Sequence, residues 1–192
     1  MTGINPLFYN LPMILGTDEL LRLVKDKKLV ENLSQRELKN PEGAGFDLRA
    51  GELFELSGSG YLGVDERKTP TEKLIAKYET GKTTKVNLKP GKYYMVKTVE
   101  TVNQPENIQV MVKPRGTLLR SGVYLFSAFG GPGYKGQFNF GLMNLGGLKF
   151  TLEMGARIAH FVFFEVKGKT LVPYRGQWQG GRVSARKKEK QI

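Results

Sequence analysis

The chain changes its hydrophobic period once. Over residues 17–29, TDELLRLVKDKKL, apolar Leu20, Leu21, Leu23 and Val24 fall on one face, with Asp18 and Glu19 opening the stretch and lysines closing it. That pattern predicts an amphipathic helix with Thr17 as N-cap and end charges that suit the helix dipole. Beyond it the chain reads as strands: KYYMVKTVETV (92–102), IQVMVKP (108–114), GVYLFSAF (122–129), GQFNFGLMN (136–144), LKFTLEM (148–154) and ARIAHFVFFEV (156–166) alternate or are rich in β-branched and aromatic residues. Turn signals separate them, among them Lys89-Pro90-Gly91, Asn103-Gln104-Pro105-Glu106-Asn107 and Gly130-Gly131-Pro132-Gly133-Tyr134-Lys135-Gly136. Many short strands at this spacing predict a mainly β domain, a distorted barrel or jelly roll with one N-terminal helix. Residues 64–86, VDERKTPTEKLIAKYETGKTTKV, interrupt the alternation and read as a charged insert. There is no repeat, and residues 1–192 read as one domain, with 1–12 as an N-terminal extension and 185–192 as a basic tail.

Composition narrows the classes. Forty per cent hydrophobic and 25% charged residues describe a folded globular chain. No apolar stretch reaches the roughly 18 residues of a membrane span, and the first residues lack the basic start of a secretory signal. The chain has no cysteine, so disulfides and thiolate chemistry are excluded; a cytoplasmic location is expected. A net charge of +12 suits a polyanionic ligand, a nucleotide triphosphate or a nucleic acid. Part of that excess sits in the tail, where Arg182, Arg186, Lys187, Lys188 and Lys190 face Glu189 alone. The tail reads first as a solvated end, and as a nucleic-acid grip only second.

Four glycine-containing clusters mark strand ends: GAGFDLRAGE (43–52), KPRGTLLRSG (113–122), the 130–136 loop and YRGQWQGGRVS (174–184). In the second, Arg115 and Arg120 can fork onto phosphate oxygens, Gly116 lets backbone N–H groups approach, and Thr117 adds a hydroxyl. Asp47, between Phe46 and Leu48, is placed to cap a turn or bind an arginine. Tyr134 offers a ring where glycines admit a ligand. Trp178, the one tryptophan, sits in a glycine-rich segment and suits a lid or interface. His160, the one histidine, lies inside an apolar strand and reads as a packed, hydrogen-bonded residue; with no cysteine and a single histidine a zinc site is not expected.

Taken in this order, the clusters resemble the dCTP deaminase/dUTPase superfamily, and more closely its dCTP deaminase branch, over roughly residues 13–186. GFDLRAG is similar to its first motif, PRGTLLRSG to its phosphate motif, GPGYKGQFNFGLMN to the loop and strand that hold deoxyribose and base, and YRGQWQGGRVSAR to the segment that closes over the nucleotide. The resemblance implies a dUTPase-like barrel assembled as a homotrimer with sites between subunits, acting on dCTP or dUTP with Mg2+ carried on the triphosphate. It implies that Arg115, Gly116, Thr117 and Arg120 meet phosphates, that Tyr134 lies against the deoxyribose, that Asn139, Phe140 and Gly141 lie beside the base, and that Tyr174, Trp178 and Gln179 belong to the closing segment.

The same resemblance exposes two departures. The family's aspartate before the tyrosine, which contacts the sugar and supports water attack on the α-phosphate, is Gly131 here. The deaminase branch's glutamate, the base that activates water at the cytosine ring, is Gly141. A positioned acid or base is typically worth ~10²–10⁴-fold in rate, so no catalytic residue can be assigned and deamination of dCTP to dUTP, or onward hydrolysis to dUMP, is expected to be weak or lost. The alternatives are a non-catalytic nucleotide sensor or trimeric scaffold, and a dUTP diphosphatase, which the missing aspartate disfavours.

Overall fold

The computed structural model describes residues 13–191, so the 1–12 extension lies outside the described residues. Three α-helices occur among them, α1 (Thr17–Lys27), α2 (Gln35–Lys39) and α3 (Gly116–Arg120), with a short 3-10 turn at Gln179–Gly181. The strands are β1 (Val30–Glu31), β2 (Phe46–Ser57), β3 (Tyr61–Leu62), β4 (Glu66–Lys68), β5 (Thr71–Lys77), β6 (Lys85–Leu88), β7 (Tyr93–Asn103), β8 (Ile108–Pro114), β9 (Val123–Phe126), β10 (Lys135–Asn144), β11 (Phe150–Glu153), β12 (Arg157–Glu165) and β13 (Glu189–Lys190). The expected class holds: mainly β, with an N-terminal helix.

Details at the helices differ from the sequence pattern. The N-cap of α1 is Gly16, without a side-chain cap, and Thr17 is already helical. Lys28 ends the helix in the left-handed region, where its N–H reaches the Leu23 and Val24 carbonyls. The sequence reading passed over α2, although Ser34-Gln35-Arg36-Glu37 is a capping-box signature. Ser34 Oγ accepts from Glu37 N at 3.4 Å, but the Glu37 carboxylate turns inward and takes the backbone N–H of Asp47 at 3.1 Å.

One large sheet runs in the order β8-β12-β2-β7-β10-β9, with β1 added to β7 and β5 to β2. It curls into a nearly closed barrel. The loop after β9 reaches β8 at its far end through a Val110–Gly130 bridge. β7 alternates without a fault, sending Tyr94, Val96, Thr98, Glu100 and Val102 inward. The inward Glu100 is fully buried and is held by Arg49, whose Nε donates at 2.6 Å and whose backbone N–H donates at 2.8 Å. Aromatic rings from β10 and β12 fill the centre: Phe161 meets Phe138 edge-on at 4.9 Å and Phe140 at 6.0 Å.

Two segments are more ordered than their composition suggests. Residues 64–86 carry β4 and β5, and β5 pairs with β2 along Glu52–Ser57. The basic tail forms β13, antiparallel to β4. GFDLRAGE, read as a strand-end glycine cluster, lies largely within the twelve-residue β2. Gly51 there marks a register shift against β7, where a Cβ would stand 2.7 Å from the Thr98 carbonyl oxygen.

Phe161 is fully buried with rings on two sides, so Phe161→Ala is expected to cost about 4 kcal/mol, read as a lower midpoint in urea unfolding.

Candidate functional site

The phosphate-motif residues meet a buried carboxylate. β8 delivers Arg115 to the mouth of α3, β12 delivers Arg157 and His160, and β2 places Asp47 between them. Asp47 Oδ2 accepts from Arg115 at 2.6 Å and from Arg157 at 2.8 Å, while Oδ1 faces His160 Nδ1 at 2.9 Å. Burial alone would push the Asp47 carboxyl up, but His160, Arg115 and Arg157 outweigh it and hold it below the ordinary carboxylate range. Buried Glu37 sits beside it, paired with Arg36. Two buried carboxylates thus hold three arginines, and both Arg115 and Arg157 stay about one-third exposed. They open onto a cleft of about 370 Å³ that Thr117, Phe150 and Glu153 also line. Arg157 and His160 were not singled out for this role; His160 is the hydrogen-bonded strand residue its surroundings suggested. Arg120 lies outside this lining, and its guanidinium reaches back to within 2.8 Å of where a Cβ on Gly116 would stand.

The glycine loop builds a second, smaller cleft. Ala128, Phe129, Gly130, Tyr134, Phe138, Asn139, Tyr174 and Trp178 enclose about 130 Å³, roughly four waters' worth. Tyr134 is nearly buried, its ring edge-on to Phe138 at 4.8 Å and Tyr174 at 5.5 Å, and its hydroxyl donates to the Gln137 carbonyl at 2.6 Å. That burial pushes its hydroxyl up to about 12. Phe140 points into the barrel core, so only its backbone is open to a ligand. Asn139 donates through Nδ2 to the Gly181 and Arg182 carbonyls, both at 3.2 Å, which leaves its buried Oδ1 without a partner. No Asp or Glu lines this cleft. Of the other carboxylates near the motifs, Glu153 borders the first cleft and pairs with Lys85 at 3.4 Å, and Glu165 borders a groove under α1.

The two glycine departures differ in room. A Cβ on Gly131 would find its nearest neighbours, atoms of Tyr174, at 3.8 Å, so a side chain fits. A Cβ on Gly141 would collide with the hydroxyl oxygen of Tyr93 and lie 2.8 Å from its ring carbons. The volume a larger residue would take at 141 is filled from β7.

The 174–184 segment is fastened to the glycine loop. Gln179 accepts from Lys135 N at 2.8 Å and donates to the Gly133 carbonyl at 3.1 Å. Gly136, with φ at 149°, lets the loop pass against Gly180 and Gly181, where a Cβ would be 2.5 Å from the Gly181 nitrogen. Trp178 lies between two guanidinium groups, Arg67 at 4.5 Å and Arg182 at 5.9 Å. Glu189 ties both arginines together, Arg67 at 3.0 Å and Arg182 at 2.8 Å. Farther along, Arg186 and the Ser184 hydroxyl bind Glu72, and Lys188 pairs with Glu66 at 3.2 Å. The insert therefore supplies acids for Arg186 and Lys188, while Arg182 pairs with Glu189 of the tail itself.

The chain is similar to known proteins over most of its length. A family model described as dCTP deaminase-like matches residues 14–166. A probable deoxyuridine 5'-triphosphate nucleotidohydrolase of Methanothermobacter thermautotrophicus is 33% identical over 167 residues, 87% of this chain and 99% of that protein. A dCTP deaminase of Thermococcus kodakarensis is 28% identical over 167 residues, 87% of this chain and 95% of that protein. Among solved structures, the 2'-deoxycytidine 5'-triphosphate deaminase of Agrobacterium tumefaciens shares the fold with a TM-score of 0.61 at 14% identity, over 80% of this chain and 47% of that one. No helix among the described residues is long and apolar enough to cross a membrane.

Glu72 is held low, at about 2, chiefly by Arg186 and despite some burial. A depressed folded value means its contribution is complete above about pH 4.5 and fades as pH falls toward 2. The tail should therefore release Trp178 across that window, read as a red shift of the single tryptophan's emission. The same shift should appear at pH 7 in a Glu72→Gln, Glu189→Gln double variant; an unchanged spectrum there would mean that other contacts hold the tail.

Proposed function

The chain belongs to the dCTP deaminase-like family, and we propose that it is a binder of pyrimidine deoxynucleoside triphosphates, dCTP and dUTP, in which deamination and hydrolysis are slow or absent. The observation that carries this reading is the pair at Gly141 and Tyr93: where the deaminase branch places its base there is no carboxylate, and the Tyr93 ring stands over the position. Deamination adds water at C4 and expels ammonia, and the water's proton must go to a positioned base. Hydrolysis to dUMP needs its water oriented at the α-phosphate, and Gly131 offers nothing to do so.

The cradle that remains supports binding. Arg115 and Thr117 face a cleft suited to phosphate oxygens, with Arg157 beside them. Tyr134 and Asn139 line the cleft assigned to sugar and base, and the unpartnered Asn139 Oδ1 is an acceptor that a ligand N–H can satisfy. The two clefts share no lining residue, which supports a site completed between copies of the chain in a homotrimer. Mg2+ belongs to the ligand in this reading: Glu153, the one carboxylate at the phosphate cleft, is already paired, so phosphate oxygens and water would hold the ion, which then shields phosphate charge.

The test is thermal unfolding with magnesium and dCTP or dUTP, beside ion-exchange separation of the nucleotides after incubation. Expected is a rise of roughly 5–10 °C in Tm at a hundredfold excess over Kd, without turnover. A variant carrying Gly131→Asp, Gly141→Glu and Tyr93→Ala should gain measurable formation of dUTP or dUMP. Ordinary enzymatic turnover by the wild type would overturn the loss of chemistry, and absence of any stabilisation would overturn the binding.

A further inference from the structure

Gly141 lies on β10 opposite Met95 of β7 and Phe126 of β9, and Tyr93 stands two residues along β7 opposite Met143. Because strand side chains alternate, Asn139, Gly141, Met143, Tyr93, Met95 and Phe126 all belong to one outward face. On that face the Tyr93 ring leans across Gly141, its carbons 2.8 Å from the point a Cβ would occupy. The ring is steadied by Phe126 at 5.8 Å, which is itself braced edge-on by Tyr124 at 4.5 Å. Its hydroxyl has a single partner, the weakly accepting Met95 Sδ at 3.4 Å, and the residue stays 39% exposed.

Resting on the reading above, in which the base lies along residues 139–141, we propose that Tyr93 is a base-recognising residue whose hydroxyl meets the substituent at C4 of the bound pyrimidine. It occupies the space of the absent carboxylate but offers different chemistry. Burial pushes the hydroxyl's titration upward from its ordinary value, so it is neutral at pH 7. A neutral hydroxyl donates to the 4-oxo group of uracil or accepts from the 4-amino group of cytosine. It cannot take a proton from water as a carboxylate does. The position thus recognises the ring edge without attacking it, and either base is accepted.

The experiment is titration calorimetry of the wild type and Tyr93→Phe with three magnesium-bound ligands: dUTP, dCTP and the deoxynucleoside triphosphate of 2-pyrimidinone, which lacks any C4 substituent. Tyr93→Phe keeps the ring over Gly141 and removes only the hydroxyl. Expected is a loss of roughly fivefold in affinity for dUTP and dCTP, the worth of one hydrogen bond, and no loss for the unsubstituted analogue. An equal loss for all three ligands would assign Tyr93 to packing, and no loss for any would remove it from the site; either overturns the inference while the nucleotide reading stands. If the wild type binds none of the three, that reading fails and this inference falls with it.

Discussion

A buried carboxylate surrounded by arginines is stable only as a set, because removing the anion leaves like charges pressed together in a poorly solvated place. Asp47 is that anion. It lies on β2, and the groups it joins come from β8 and β12, so one side chain fixes the relative height of three neighbouring strands. The register of β12 against β2 pairs His160 with Asp47 directly, and the shift between Arg157 and Ala159 brings Arg157 round to the same oxygen as Arg115. Glu37 extends the set to α2 by accepting the Asp47 backbone N–H. The orientation of Arg115 and Arg157 in the cleft beside α3 follows from this arrangement, since each is held by Asp47 while about one-third exposed.

Local pattern was enough for the strands from β7 to β12 and for α1, because their alternation and end charges reflect burial directly. It was not enough for FDLRAG, whose glycine suggests a turn but serves a bulge inside a long strand. Ser34 and Glu37 carried a helix-start signature that short length concealed, and the buried destination of Glu37 depends on a partner ten residues away. The tail and the insert were unreadable for a different reason. Each looks solvated alone, and the ion pairs that join one to the other span more than 110 residues, as in Arg186 with Glu72 and Arg67 with Glu189. At the candidate site, the likeness to a family drew notice to Gly131 and Gly141, whereas the ring that stands over Gly141 follows from strand register.

The strapped tail has a cost in conformational entropy that a loose end would avoid, and it is offset by paired charges and a half-buried indole. Its result is a cleft wall, Trp178, whose place depends on Glu189 eleven residues further along and on Arg67 from the insert. Segments that composition would set aside as accessory thus reach the cleft by contact.

The ring of Tyr93 against Gly141 also constrains descent. A lineage that loses a side chain at 141 can regain it by a single change only while the space stays empty. Once an aromatic residue on the next strand has settled there and found neighbours in Phe126 and Tyr124, reversal at 141 alone meets a collision, and reversal at 93 alone leaves a hole. The two positions are therefore coupled, and a change at either is best tolerated together with a change at the other.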